Sequence, residues 1–198
     1  MKELKVETVV ISKQVEDSQN FKKFKDIVKE KKINVLIVNC GDIIKIEKNV
    51  YFDILWPNNS GLIKENALNN NSIVCKLQYN NFSMLFTGDI EEIAEKSIIQ
   101  EYKDNFKIFN SSIIKVAHHG SKTSSTQDFL NAVNAKIAII GVGKNNNFGH
   151  PNESVIKRLK ECNVIIYRTD ECGEIAIVVN SKGKVKVHKF ISSQQKSN

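Results

Sequence analysis

Between residues 82 and 170 the chain repeats one pattern four times: a short apolar run that ends in polar, chemically capable residues. The runs cover residues 82–87, 113–117, 136–142 and 164–167, and amphipathic stretches follow the first three. Runs this short, bounded by Gly, Ser, Thr and Asn, are strands, and the stretches between them have helical spacing. Such alternation predicts an α/β fold in which the polar clusters share the carboxyl lip, the edge where open α/β sheets place their sites.

The clusters differ in chemistry. The second is the densest: Lys115-Val116-Ala117-His118-His119-Gly120-Ser121 holds two of the four histidines of the chain. Paired imidazoles at a strand end suit metal or phosphate chemistry, and the competing reading is a hydrogen-bonded structural pair. The first cluster ends in Gly88-Asp89 ahead of Ile90-Glu91-Glu92. Asp89 reads as a helix N-cap with Glu92 completing a capping box, or as a carboxylate directed at the histidines; the two roles are compatible. Carboxylate oxygen with imidazole nitrogen suits zinc, manganese or iron, and the cysteines lack the spacing of a structural zinc site. The third cluster carries His150 ahead of Pro151, which favours the first position of a helix over residues 153–160. Arg168-Thr169-Asp170 closes the fourth.

These four segments together resemble the metallo-β-lactamase-type domain at the carboxyl end of ComEC-type competence (DNA-uptake) proteins. The likeness runs over roughly residues 5–180 and is most specific in Gly88-Asp89, Lys115–Ser121, Asn147-Phe148-Gly149-His150-Pro151 and Tyr167–Asp170. It implies an αββα sandwich with mixed sheets, a divalent metal centre (zinc or manganese) and hydrolysis of phosphodiester bonds. By that resemblance Asp89, His118 and His119 are the metal ligands. His150 would lie near the phosphate or serve as a further ligand, Lys122 would face the phosphate, and Asp170 would orient a histidine from behind. The implied partners are DNA or another phosphodiester, and a membrane channel subunit.

One departure alters the expectation. The family's His-x-(His/Asp)-x-Asp-His loop has no counterpart, because no histidine precedes His118. Asn69-Asn70-Asn71-Ser72 occupies the region where relatives carry a further histidine ligand. The chain therefore resembles the later two-thirds of such a domain, truncated at its amino end or split from the rest. Metal is expected to bind weakly or not at all, the missing portion is a further expected partner, and this chain alone is expected to be inactive. Two other functions remain open: a non-catalytic binding or assembly module, and a small-molecule phosphoesterase.

The earlier residues complete an α/β reading. Residues 6–12 and 33–39 flank an amphipathic helix near 19–31, a βαβ unit with parallel strands. Residues 43–46, 51–56, 72–79 and 82–87 are expected to form antiparallel hairpins, with Asn80-Asn81 at a tight turn. Residues 57–71 read as an irregular loop bordering the site, Ser125 with Asp128 as a helix cap, and 174–179 with 184–190 as a closing hairpin in which His188 is an ordinary strand residue. A single domain over residues 1–191 and a disordered tail over 192–198 are expected. With 41% apolar residues the chain can build a sizeable core, and reduced, buried roles are expected for its four cysteines. The net charge is +7, but 27 of 29 basic residues are dispersed lysines, so a solvated face is favoured over a nucleic-acid stripe. No apolar run approaches the ~20 residues of a membrane span and no signal peptide is apparent, so the chain itself is expected to be soluble, whereas its relatives are membrane-attached.

Overall fold

A computed structural model describes residues 4–13, 18–59 and 61–191. The expected tail over 192–198 lies outside the described residues. β1 (Thr8–Ser12), α1 (Gln19–Glu30) and β2 (Asn34–Val38) form the βαβ unit, with Val9 opposite Val35 in a parallel pair. Ser18 starts the helix, its hydroxyl accepting from the Phe21 amide at 3.1 Å. The two strands form a sheet of their own.

A seven-stranded mixed sheet carries the rest of the structure. β3 (Ile43–Glu47), β4 (Val50–Trp56), β5 (Val74–Tyr79) and β6 (Phe82–Phe86) pair antiparallel in sequence order. The short helix α2 (Ala67–Asn70) lies between β4 and β5, within the stretch expected to be irregular. Asn80, at φ 52°, makes the tight turn between β5 and β6. From β6 onward the pairing is parallel, through β7 (Ile113–Lys115), β8 (Ile137–Ile140) and β9 (Ile165–Arg168). Parallel neighbours need crossovers, which α3 (Glu92–Glu101), α4 (Gln127–Val133) and α5 (Glu153–Glu161) supply. After β9 come the one-turn helix α6 (Thr169–Cys172) and the antiparallel hairpin β10 (Ile175–Val179) and β11 (Val185–Lys189). His188 is an ordinary strand residue there, opposite Ala176.

The apolar runs of the parallel strands are explained by burial on both faces. Leu85, Ile114, Ala138 and Ile140 face the helices, where they pack with Ile98, Phe129, Val133, Val155 and Leu159. Met84, Ile113 and Ile139 face the other way, onto Ile175, Ile177 and Val185 of the closing hairpin. The result is an α/β fold with mixed sheets, helices on one side and strands on the other, consistent with an α/β sandwich.

Three local expectations are corrected. Helix α3 begins after Glu91, so Asp89 is not its N-cap. Thr126, not Ser125, caps α4, its side chain accepting from the Phe129 amide at 3.4 Å. Pro151 precedes the N-cap of α5, which is Asn152, and so stands outside the helix. Helices α3 and α4 thus enter one or two residues later than the capping pattern suggested, whereas α5 begins at Glu153 as expected. All four cysteines are free thiols and half-buried. Among the described residues no helix is long and apolar enough to cross a membrane.

Candidate functional site

The carboxyl ends of β6 to β9 meet at one lip, and backbone contacts fix its two principal loops. Gly88 sits at φ 56°, and a Cβ there would lie 2.6 Å from the Ser72 Cβ, so no side chain fits. Ser72 Oγ accepts from the Asp89 amide at 3.3 Å, and Gly88 O accepts from the His118 amide at 3.1 Å. Thr87 Oγ1 donates to Lys115 O at 2.6 Å. The Gly-Asp loop and the His-His loop are thereby held to one another.

His118, His119 and Gly120 have φ values of 47°, 56° and 82°. For histidine this left-handed conformation costs on the order of 1–3 kcal/mol per residue, a cost found at sites where the surroundings enforce it. The enforcing bonds are visible: the Ser121 amide donates to His118 O at 2.9 Å and the Asn152 amide to Gly120 O at 2.8 Å.

This turn sends the two imidazoles in different directions. His119 Nδ1 lies 2.6 Å from Gly141 O. A carbonyl only accepts, so Nδ1 carries a proton, and Nε2 is the nitrogen left facing outward. That Nε2 lies 3.9 Å from Asp89 Oδ1, with both side chains about half exposed. His118 turns inward, its Nδ1 3.5 Å from Glu91 Oε1 and without a hydrogen-bond partner. Glu91 is itself well held: Oε2 accepts from Asn66 Nδ2 at 2.7 Å, Oε1 from Thr123 Oγ1 at 3.0 Å. Sequence reading passed over Glu91, although its place two residues after Asp89 puts it in the same turn.

His150 joins this group, its ring centroid 5.8 Å from that of His118. Burial, then the neighbouring charges of His118 and His119, lower its pKa below the usual histidine value, which favours a neutral ring. A second residue passed over is Lys115. Burial lowers its pKa, Asp89 pulls it the other way, and its ammonium donates to Val116 O at 3.0 Å.

The remaining expected residues lie further off. Lys122 is exposed on the loop after the histidines. Both carboxylate oxygens of Asp170 are taken by Arg168, from Nη2 at 2.6 Å and Nε at 3.1 Å, and Arg168 also reaches Glu171 at 3.2 Å. Thus the structure brings Asp89 to His119, sets His118 against Glu91 and His150, and ties Asp170 to Arg168.

As a metal site the lip is half furnished. His119 Nε2 and Asp89 Oδ1 are suitable donors, and the Gly141 carbonyl behind His119 is the kind of support that fixes a ligand's tautomer. Among the described residues, however, no group of three or more His, Cys, Asp or Glu is arranged to hold a metal ion. Two donors fill half of a four-ligand zinc shell and less of manganese's. The residues described do not by themselves make a metal centre.

No family model matches the chain. It is 31% identical over 175 residues to ComE operon protein 3 of Bacillus subtilis, a match covering 88% of this chain and 22% of that protein. It is 31% identical over 145 residues to competence protein ComA of Neisseria gonorrhoeae, covering 71% of this chain and 20% of ComA. Recombination protein 2 of Haemophilus influenzae is 29% identical over 130 residues, 66% of this chain and 15% of that protein. These similarities support placing the chain with the competence-protein family, whose members it matches along about a fifth of their length or less.

Proposed function

We propose that the lip is part of a metal-dependent phosphodiesterase centre in a DNA-uptake protein. The likeness to competence proteins supports the link to DNA uptake. The observation that carries the chemical reading is the placement of His119, whose Nδ1 is engaged by Gly141 O at 2.6 Å and whose Nε2 lies 3.9 Å from the Asp89 carboxylate. In this reading those two side chains hold a divalent cation together with ligands from outside the described residues. A cation held there supplies Lewis acidity and offsets charge on the phosphate oxygens.

The chain's own residues do the rest. His150, whose lowered pKa favours the neutral ring, is placed to accept the proton that an attacking water gives up. His118, without a hydrogen-bond partner at Nδ1 and 3.5 Å from Glu91 Oε1, is the member of the group that could take a further place in a ligand shell. Lys122 adds an exposed positive charge on the approach of a polyanion.

Calorimetric titration with manganese and zinc tests this reading on the wild type and on His119→Ala. Weak binding is expected, well short of the ~10–16 kcal/mol of structural zinc sites, and at least tenfold weaker in His119→Ala. Tight stoichiometric binding that ignores the substitution overturns the assignment. With manganese and bis(p-nitrophenyl) phosphate the chain alone is expected to turn over little or not at all. Robust turnover abolished by Asp89→Ala would mean that the ligand shell is already complete.

A further inference from the structure

Phe148 is the most exposed large apolar side chain among the described residues, at 81%. An aromatic ring left in water costs hydration free energy and serves no packing purpose, so its position is informative. It stands on the loop between β8 and α5, at the rim of a cavity of about 400 Å³ that His119, Gly141, Val142 and His150 also line.

The ring does not hang loosely. Asn146 organises its loop with four hydrogen bonds: its Nδ2 donates to Gly143 O at 3.0 Å and His150 O at 2.7 Å. Its Oδ1 accepts from the amides of Phe148 at 3.2 Å and His150 at 3.0 Å. The Phe148 ring is stacked on His150, centroids 5.9 Å apart and planes 22° from parallel. One face of the phenyl ring is therefore spent on the imidazole, and the other faces solvent next to the histidines. Lys144, also exposed, belongs to the same loop.

A preorganised aromatic face beside an exposed lysine and the proposed phosphodiester site matches how single strands are held: bases stack on aromatic rings while positive groups follow the backbone. Holding the ring in place beforehand reduces the ordering cost of binding. A duplex offers no such face, because its bases are stacked on one another. We infer that Phe148 is a stacking platform for a base flanking the bound phosphodiester, making it a specificity residue that selects single-stranded nucleic acid. The inference rests on the reading of the lip as a phosphodiester site.

Fluorescence anisotropy with the full chain decides it, using labelled dT12 and an abasic dodecamer of equal length and charge as probes. The wild type is expected to bind dT12 several-fold more tightly than the abasic strand. Phe148→Ala should weaken dT12 binding roughly tenfold and leave the abasic strand unchanged, while Phe148→Trp retains the preference. Equal affinity of the wild type for the two strands overturns the inference, as does a Phe148→Ala variant that binds dT12 like wild type. Because Phe148 packs into no core, its removal tests recognition and not folding. Manganese calorimetry on His119→Ala separates the two ideas. A cation response without base preference removes the stacking role alone; base preference without a cation response removes the metal reading alone.

Discussion

Helices α1 and α5 have the same kind of sequence and different fates. Both are amphipathic and capped at the amino end by a side chain, Ser18 and Asn152. α5 buries Val155 and Leu159 completely against the parallel sheet. α1, longer at 12 residues, buries none, and Phe21, Phe24, Ile27 and Val28 are only half covered. Its neighbour β2 leaves Val35, Leu36 and Ile37 between 38 and 57% exposed, although they point to alternating faces. An apolar stripe thus declares that a helix has a face to bury, and is silent on whether anything covers it. The lip stands on the well-packed side of this divide.

The largest test of that contrast is truncation of matched aromatic residues. Phe129→Ala, at full burial in α4, should cost about 3–5 kcal/mol in urea unfolding. Phe24→Ala in α1 should cost under about 1 kcal/mol, with α1 amides exchanging hydrogen long before those of α4. Equal losses would erase the distinction.

A smaller effect concerns Glu95, fully buried in α3, whose carboxylate accepts from the Ser125 amide and from the Thr126 amide at 2.7 Å. Arg158 closes the same corner through Ser124 O at 2.9 Å and Ser125 O at 2.8 Å. Glu95→Gln should cost about 1–3 kcal/mol. Burial raises the pKa of this carboxyl against the opposing pull of its hydrogen bonds and Arg158. The folded state then keeps a proton the unfolded chain has released, so this stability is full below the usual carboxylate range and fades as pH rises through the raised value. The melting-temperature advantage of wild type over Glu95→Gln should be greater at pH 4 than at pH 7; the reverse order would mean that the bonds to the carboxylate outweigh its burial.

The slightest effect is one of rate. Burial pushes the Cys75 thiol in β5 up to about 11, so little thiolate exists at pH 8. With a thiol-specific reagent at pH 8 Cys75 should react more slowly than an unhindered thiol of ordinary acidity. Fast labelling would show that the sheet opens readily around β5.

How much of this was legible in the sequence follows the same divide. Strand runs such as Ile137–Ile140 and the Asn80 turn could be read because local patterning and burial agree there. The cap positions around Asp89 and Ser125 could not, since which oxygen meets a helix amide depends on what else the turn must hold. Asp89 and His119 come together as their places at strand ends implied. Glu91 beneath His118 and the capture of Asp170 by Arg168 depend on side-chain directions after a turn, which no spacing rule supplies. The stack of Phe148 on His150 was invisible for the same reason, although both residues stood within one motif.

Gly120 has a consequence for how such a lip can evolve. At φ 82°, a Cβ there would meet the Pro151 Cβ at 2.6 Å, while Gly120 O accepts from the Asn152 amide at 2.8 Å. The backbone carrying one pair of histidines is thus the ruler against which the third is set. A substitution that moves either loop displaces the other, so the spacing between His118, His119 and His150 is constrained as a unit.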